Sequence, residues 1–542
     1  MKKNNIFRKV LLMASAAMLA VSSMGCGSTA GSDGTQTSGD TTTEAAVISK
    51  EKTDEVLRVA TATLPTTLDA NASVSNAGIQ VYYNIYDTLI MRDTNADTPT
   101  FVPGLAESWE QIGELEWEFK LRKDVKFHDG TTMDADDVCY SMNRVINNEI
   151  ADYQTANSYL LSNFDRFEAV DDLTVHAYTK NPEPLIENLL SDPNAGISSK
   201  EYCESVGLDK AGLEPVTTGP YKVVSFDPGH SVVLERFDDY WGDAAPFKEI
   251  DITCIPEIIS RITALQNGEV DFITNIPPDE EAMLEGNTNV QLIGGVLPVY
   301  HVYRLNMTHE LMKDKNLRAA LDYAIDRQKL VDTIWHGKAE AATEYQFKEC
   351  SDYYLEGREN EITYDVDKAK EFLAKSNYNG EVIRIYNQTD YYTHADLAAQ
   401  AVIEMWKAIG VNAELVEAES MSTFTNEEQM IRTWSNPLYY QDPMGVLERH
   451  WSPDGAQIKT GHFVASDEYT KQFNIARYST DKEARKKALA AIYDYFREET
   501  PFIYLYKPYE SVAVSSKIAY KIPSNVRAYT LGFRSGEIGL KQ

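Results

Sequence analysis

The chain has 542 residues, of which 43 % are apolar and 25 % charged, a composition typical of folded proteins with several hydrophobic cores. At ~150 residues per unit, this length allows three or four domain-sized units. The 51 basic and 83 acidic residues give a formal net charge of −32, which argues against nucleic-acid binding, because that requires clustered Lys and Arg. The 32 Tyr and 7 Trp are residue types common where a protein contacts another molecule.

The start of the chain has the pattern of an export signal. Val10–Val21 follows a basic stretch, carries no charge, and is too short to cross ~30 Å of hydrocarbon, which requires about 20 residues. We therefore expect residues 1–25 to be a signal peptide. Small residues before the single early Cys26 resemble a bacterial lipobox, in which this Cys is lipidated, although Ser23 replaces the usual Leu. An ordinary signal peptide is the open alternative.

The residues after Cys26 form a low-complexity stretch. Residues 27–43 are almost all Gly, Ser, Thr, Asp and Ala, and cannot bury enough apolar surface to fold. We expect residues 26–53 to be a flexible tether with an r.m.s. reach of roughly 30 Å. Lipidated Cys26 would then anchor the folded part to the outside of the bacterial cell membrane. Residues 1–25 carry four basic and no acidic side chains, so their removal changes the net charge from −32 to −36.

The first part of the folded chain shows both strand and helix patterns. Leu57–Ala62 and Trp117–Leu121 alternate apolar and polar residues, which predicts strands. Val81–Ile90 repeats apolar residues at helical spacing. Asp134, with Asp137 three residues later, predicts a capped helix.

Later segments alternate strands with helices. Ile250–Ile255, Ile258–Asn267 and Val270–Ile273 predict a strand–helix–strand unit, which is typical of a parallel crossover. Asn316–Val331 has an apolar stripe and predicts one helix, and Thr480 with Glu483 predicts a capping box for another. This alternation predicts α/β lobes.

Five blocks occur in an order and spacing that resemble one family. They are Pro103–Arg144, Thr218–Tyr221, Leu265–Phe272, Asn316–Arg327 and Tyr364–Ala369. Behind a lipoprotein-like leader, they resemble the extracytoplasmic solute-binding proteins of ABC importers, in the large peptide- and nickel-binding class called solute-binding protein family 5. The resemblance covers most of residues 55–540. These blocks have mainly structural roles, such as the tight turn at Gly130, and do not identify the ligand.

The resemblance implies an α/β, two-lobed periplasmic-binding-protein fold with a hinge of two crossing strands and an extra inserted domain. In this chain, lobe I would comprise residues 54–92, 215–302 and 505–542. The extra domain of lobe I would be residues 93–214, and lobe II would be residues 303–504. The crossings would fall near Tyr300–Asn306 and near Tyr504–Pro508.

The sequence contains no recognisable catalytic constellation, so we expect neither an enzyme nor a cofactor. Gly-x-Ser-x-Gly, His-Glu-x-x-His and phosphate-loop motifs do not occur, and Ser479–Lys482 fits a helix cap better than a nucleophile. Only His450 and His462 come near each other with Asp442, and we expect no metal site. Four cysteines lack zinc spacing, and their pairing stays open. They are Cys139, Cys203, Cys254 and Cys350.

Thr433–Pro453 is the segment that the resemblance marks for ligand contact. In dipeptide and oligopeptide receptors, an Asp four residues before a Pro pairs with the ammonium group of the peptide. Here Pro443 is preceded at that distance by Tyr439, with Asp442 directly before it. Either Asp442 replaces the usual Asp, or the ligand lacks a free amino terminus. The predicted ligand-binding residues are Trp434, Tyr439, Tyr440, Asp442, Tyr82, Tyr83, Thr217, Thr218 and Asn306.

Two readings of this segment stay open. The rings of Tyr439 and Tyr440 can stack on a ligand or hold a cation, whereas Trp434 and one Tyr can equally pack the lobe. The resemblance implies a monomeric, lipid-anchored receptor that captures an oligopeptide or dipeptide and delivers it to ABC permease subunits. The alternatives are the same role for a nickel chelate or an oligosaccharide, and a surface sensor without transport.

Overall fold

The computed structural model describes residues 47–94, 96, 98–147, 160–389, 391–524 and 526–542. The predicted signal peptide, Cys26 and most of the predicted tether lie outside these residues. The strands are β1 (Val56–Thr61), β2 (Ile90–Arg92), β3 (Phe101–Pro103), β4 (Ala106–Gly113), β5 (Glu116–Leu121), β6 (Phe164–Asp171), β7 (Thr174–Thr179), β8 (Tyr221–Asp227), β9 (Ser231–Arg236), β10 (Glu249–Cys254), β11 (Phe272–Ile276), β12 (Val290–Val296), β13 (Val299–Leu305), β14 (Glu340–Ala341), β15 (Ile383–Gln388), β16 (Ala413–Ala418), β17 (Ile431–Pro437), β18 (Phe502–Lys507), β19 (Tyr509–Ser515), β20 (Ile518–Tyr520) and β21 (Ile538–Leu540).

Helices connect these strands in a mixed α/β arrangement. They are α1 (Asn76–Ile85), α2 (Ala135–Ile146), α3 (Ile186–Leu190), α4 (Lys200–Val206), α5 (Leu208–Ala211), α6 (Ile258–Gln266), α7 (Pro278–Glu281), α8 (Lys315–Tyr323), α9 (Arg327–Ile334), α10 (Val366–Lys375), α11 (Ala395–Ala408), α12 (Met444–Trp451), α13 (Ala456–Lys459), α14 (Asp467–Tyr478) and α15 (Lys482–Glu499). Short 3-10 segments occupy Pro193–Ala195, Lys348–Tyr353 and Met421–Thr423.

The larger sheet has seven strands in the order β12-β19-β11-β1-β10-β9-β8. Strand β1 is parallel to both of its neighbours, β10 and β11, and Leu57 and Val59 are fully buried in it. Helix α6 connects β10 to β11, so the predicted strand–helix–strand unit is confirmed as a parallel crossover that passes over β1.

A second sheet has six strands in the order β14-β18-β13-β17-β15-β16, and a third has four antiparallel strands in the order β4-β5-β7-β6. All seven residues of β13 are buried, so this strand is covered on both faces. Helix α2 begins with the predicted capping box, in which the Asp134 side chain accepts from the backbone of Asp137 and the Asp137 side chain accepts from that of Asp134.

The chain passes between the two large sheets twice, at a proline each time. Pro298 separates β12 from β13, and Pro508 separates β18 from β19. The backbone N–H of Leu297 donates to the carbonyl of Pro508 at 2.9 Å, and β12 pairs with β19 just as β13 pairs with β18. The two passages are therefore neighbours, and each proline holds its own φ near −65°.

These positions shift the predicted crossings. Tyr300–Asn306 lies largely within β13 and so belongs to the six-stranded sheet, because that strand pairs with a neighbour on each side. The predicted lobe borders at 302/303 and 504/505 likewise fall inside β13 and β18. The division into two lobes and an extra domain itself stays a prediction.

Three local predictions were wrong. In two of them an aspartate caps a helix at an unexpected position, and in the third a helix ends earlier than predicted. Asn316–Val331 is two helices, since the side chain of Asp326 accepts from the backbone of Lys329 at 3.0 Å and starts α9 afresh. The cap of α15 is Asp481 and not Thr480, since its carboxylate accepts two backbone N–H groups. The helix predicted over Val81–Ile90 ends at Ile85, and Ile90 already begins β2.

The described part of the chain holds neither a disulfide nor a helix that could cross a membrane. Its four cysteines are free thiols, three of them buried and Cys254 half-buried. Burial raises the pKa of the Cys139 thiol to about 12, which keeps it protonated and unreactive.

A buried ion-pair cluster joins the segment after β7 to helices α12 and α14. Arg477 donates through both Nη atoms to the Glu183 carboxylate, each at 2.7 Å, and through Nε to Glu448 at 2.7 Å. The side chains of Arg477 and Glu183 are both 0 % exposed. Because water reaches neither charge, each depends on the other for compensation.

Replacing Arg477 by alanine should lower the free energy of unfolding by about 3–5 kcal/mol, because two buried carboxylates are then left without their cation. Equilibrium unfolding in urea measures this. Lys471→Ala on the same helix is the control, since its pair with Glu468 spans 3.9 Å between side chains that are 67 % and 68 % exposed, and its loss should cost less than about 1 kcal/mol. Equal losses for the two variants would contradict the interpretation.

Glu510 lies two residues after the passage at Pro508. The side-chain amide of Asn275 donates to its carboxylate, and burial raises the pKa of Glu510 from 4.5 to about 7, while Arg261 acts in the opposite direction. Between these pH values the native protein holds a proton that the unfolded chain has released. The stability contributed by this proton is complete below about pH 4.5 and is lost as the pH rises through about 7.

The variant Glu510→Gln cannot ionise but still offers an oxygen to Asn275. Its stability advantage over the unchanged protein should therefore widen from pH 5 to pH 8. Urea unfolding at pH 5, 6.5 and 8 measures the difference, with the exposed Glu269→Gln as the matched control. A gap that stays constant with pH would show that Glu510 is ionised throughout.

Candidate functional site

A cavity lies between segments attached to the two large sheets. One wall comes from the end of α1, the turn before Pro193 and the coil between β20 and β21, and Tyr439 comes from the loop after β17. The lining residues are Tyr83, Tyr86, Asp87, Thr88, Met91, Arg92, Ser191, Asp192, Pro193, Tyr439, Val526, Arg527 and Arg534.

Arg534 fixes one wall of the cavity to the end of α1. Its Nη2 donates to the carbonyls of Tyr83 and Tyr86, both at 2.6 Å, which satisfies acceptors left open where the helix ends. Its Nη1 donates to Asp87 at 2.9 Å, and Trp241 donates to the same carboxylate at 2.8 Å. The charge of Arg534 is therefore already compensated within the wall.

Arg92 lies on the same wall and reaches across to the segment after β17. It donates to the Ser191 hydroxyl and to the Gln441 side chain, both at 2.9 Å. Burial lowers the pKa of Arg92, and the negative charge of Asp192 acts against that shift. The negative charge of Asp192 therefore stabilises the charged form of Arg92.

Tyr439 stands where the family resemblance places an acid, and two arginines contact it. The guanidinium carbon of Arg527 is 4.7 Å from the centroid of its ring, and that of Arg449 is 5.2 Å away. Nη1 of Arg449 also donates to the Tyr439 hydroxyl. Aromatic faces attract cations, so this ring favours the guanidinium groups at its position.

Trp434 has a similar environment on β17. The guanidinium carbons of Arg304 and Arg432 lie 5.1 and 4.8 Å from its ring centroid. Burial, followed by the charge of Arg432, lowers the pKa of Arg304 to about 9. Arg304 donates to the ring nitrogen of His462 at 3.1 Å, and burial lowers the pKa of this His to about 3 and keeps it neutral. Trp434 does not line the cavity described above.

Asp442 and Tyr440 are committed to contacts within the protein. Both carboxylate oxygens of Asp442 accept from Arg485 Nη2 at 2.9 Å, and one also accepts from the backbone of Met444. Tyr440 is fully buried and donates its hydroxyl to Glu448 at 3.0 Å. Asp442 could bind an ammonium group only by giving up part of this pairing, so its predicted replacement of the family's Asp finds no support in the geometry.

Four other predicted residues are buried and do not line the cavity. The hydroxyl of Tyr82 donates to the carbonyl of Thr67 at 2.9 Å, and that of Thr217 donates to the carbonyl of Ile85. The Asn306 amide donates to a backbone carbonyl, whereas the buried Thr218 hydroxyl has no partner among the described residues. Of the nine predicted residues, the cavity brings together Tyr83 and Tyr439. Ligand contact by any of the nine stays a prediction.

The arginines of the cavity were not among the residues predicted from the sequence. Arg527 and Arg534 belong to the irregular segment between β20 and β21, where no periodic pattern draws attention to them. Their one signal in the sequence is that they are arginines outside the predicted helices and strands. Within the described ranges, no group of three or more His, Cys, Asp or Glu side chains is placed to hold a metal ion.

Comparison with known sequences gives a family for most of the chain. Residues 100–457 match the family described as bacterial extracellular solute-binding proteins, family 5 middle. Among curated relatives, the glutathione-binding protein GsiB of Pectobacterium atrosepticum is 27 % identical over 454 residues, which cover 81 % of this chain and 85 % of the relative.

Solved structures share the fold over nearly all of the chain. The periplasmic binding protein DppA from Helicobacter pylori, in complex with the peptide STSA, aligns with a TM-score of 0.80 and 23 % identity over 90 % of this chain and 98 % of its own. NikZ from Campylobacter jejuni, in complex with Ni(L-His), aligns with a TM-score of 0.78 and 20 % identity over 90 % and 100 %.

The two large sheets joined by paired crossings therefore have the architecture of two-lobed periplasmic binding proteins. Its relatives are extracytoplasmic solute-binding proteins and not enzymes, and its role is that of a substrate-binding receptor of an ABC importer. The family match, which spans well over half of the 542 residues, establishes that the chain belongs to the bacterial extracellular solute-binding proteins of family 5.

Proposed function

We propose that this receptor captures an oligopeptide or dipeptide between its two lobes, as a lipid-anchored protein, and delivers it to membrane permease subunits. The observation that carries the proposal is the cavity with Tyr83 on one wall and Tyr439 on the other. Relatives whose names or bound molecules are glutathione and the peptide STSA support a peptide-class ligand. A micromolar dissociation constant corresponds to about −8 kcal/mol, which a few rings and backbone hydrogen bonds can supply.

Capture works by a shift between open and closed arrangements of the lobes. A ligand that contacts both walls binds the closed arrangement better and so increases its population. The passages at Pro298 and Pro508 are the places where the chain can absorb the rotation. Contacts away from the cavity also bridge the lobes, since Lys338 pairs with Glu281 and His336 with Asp279.

A nickel chelate is the second candidate, because NikZ with bound Ni(L-His) has the same fold. An oligosaccharide ligand and a surface sensor without transport remain alternatives. The chelate and the oligosaccharide are distinguished from a peptide by what the purified protein binds. A sensor is distinguished from a transport receptor because deletion of its gene leaves uptake unchanged.

Purified protein should be stabilised by peptides. Isothermal titration and thermal unfolding with di-, tri- and tetrapeptides, glutathione, Ni(L-His) and oligosaccharides form the test, and we expect micromolar binding for a peptide. Tyr439→Ala should weaken that binding by about three- to tenfold through loss of a ring contact, whereas Tyr364→Ala, at a side chain 52 % exposed, should not. Binding of a sugar or chelate alone would overturn the peptide assignment.

Lipidation of Cys26 should decide where the protein is found. Cys26→Ser should remove a fatty-acid label from the protein and move it from the membrane fraction to the soluble or secreted fraction, because stable anchoring requires acyl chains. Cys139→Ser keeps Cys26 and is the control. A Cys26→Ser protein that stays in the membrane fraction would contradict the anchor.

A further inference from the structure

One arginine of the cavity lining, Arg527, has no carboxylate partner among the described residues. Arg534 donates to Asp87 at 2.9 Å, and the negative charge of Asp192 stabilises the charged form of Arg92. Both aspartates of the lining thus act on an arginine other than Arg527. Arg527 is the remaining arginine, and within the part of the chain that the structure describes no carboxylate pairs with it.

Arg527 is nevertheless deeply buried, with 4 % of its surface exposed. It donates to the carbonyl of Val74 at 3.0 Å and to the side-chain oxygens of Asn76 and Asn194 at 3.1 and 3.4 Å. Its Nε finds no acceptor among the described residues. Neutral oxygens and a ring therefore surround this cation, and a buried cation is costly until an anion joins it.

The position of Tyr439 makes a free ammonium group unfavourable here. An ammonium placed against its ring would approach both Arg527 and Arg449, whose guanidinium carbons lie 4.7 and 5.2 Å from the ring centroid. Like charges at such distances repel, whereas a carboxylate is attracted to both. Asp442 does not offset this, because Arg485 already occupies it.

The same imbalance recurs along β17. Arg304 and Arg432 contact the ring of Trp434, and no salt bridge to either arginine is found among the described residues. In a chain of net charge −32, three arginines that contact the two rings of this segment, Arg304, Arg432 and Arg527, have no salt bridge among the described residues and make the local field more positive. Such a field attracts anionic ligands and disfavours cationic ones.

We infer that the cavity recognises a peptide-class ligand by an anionic carboxylate, which pairs with Arg527 beside Tyr439, and that it does not require a free amino terminus. This inference rests on the proposed function and narrows its substrate class. Peptides whose amino end is acylated, or turned away from Tyr439, fit as well as unmodified ones. The ligand's carboxylate supplies the anion that the protein itself does not.

Four forms of the tetrapeptide Ser-Thr-Ser-Ala test the inference by isothermal titration with the whole chain. They are the unmodified peptide, the N-acetylated peptide, the C-terminal amide and the doubly blocked peptide. Acetylation should change the dissociation constant less than about threefold, and amidation should weaken binding at least about tenfold, as loss of one partner of a buried charge pair does.

Variants connect the effect to Arg527. Arg527→Gln should weaken binding of the unmodified peptide about tenfold and leave binding of the amide unchanged, and Arg527→Lys should restore part of the loss. Arg384→Gln makes the same charge change at a surface pair with Glu414, where the two side chains are 43 % and 49 % exposed, and should leave every affinity unchanged. Far-UV circular dichroism verifies that each variant is folded.

Tyr439→Asp provides a second route if Arg527→Gln does not fold. An acid at this position pairs with the arginines from within, so the loss on amidation should shrink and a preference for a free amino terminus should emerge. Tight binding that is abolished by acetylation but not by amidation would overturn the inference and leave the peptide receptor intact. No binding by any of the four forms would overturn the peptide proposal, and the inference with it.

Discussion

The two passages of the chain between the seven-stranded and six-stranded sheets constrain the whole molecule. Each passage contains a proline, Pro298 or Pro508, and the strands on either side are paired with those of the other passage. Everything that forms the cavity depends on this junction. Tyr439 follows a strand of one sheet, and the arginines of the opposite wall belong to segments attached to the other.

Buried arginines in this acidic protein have two kinds of environment. Several buried arginines that stabilise the fold pair with carboxylates, as Arg477 does with Glu183 and Glu448. Arg527 contacts the ring of Tyr439 and has no carboxylate partner among the residues that the structure describes. A net charge of −32 therefore does not exclude an arginine without a carboxylate partner at the cavity.

Local features of the fold were predictable because their causes lie within a few residues. The capping box of Asp134 and Asp137 and the first strand follow from adjacent side chains. The break in Asn316–Val331 was also encoded locally, by Asp326, but the apolar stripe of that segment obscured it. The site was harder, because its decisive pairs are distant in sequence.

Asp442 illustrates this limit. Its position directly before Pro443 made it a candidate for the ligand's ammonium group, yet Arg485, 43 residues later, binds both of its oxygens. Arg527 lies 88 residues after Tyr439 and contacts its ring only because the chain has crossed back to the first sheet. No spacing rule connects such residues, whereas the family resemblance correctly indicated the fold that brings them together.

The pairing of the two passages has a mechanical consequence. Because β12 is bonded to β19 and β13 to β18, with the Leu297–Pro508 hydrogen bond between them, the connection is a two-stranded ribbon and not two independent threads. A ribbon bends easily across its flat face and resists bending in its own plane. In the proposed opening and closing, such a ribbon favours one axis of rotation, which would return Tyr439 to the same position against Arg527 at each closure.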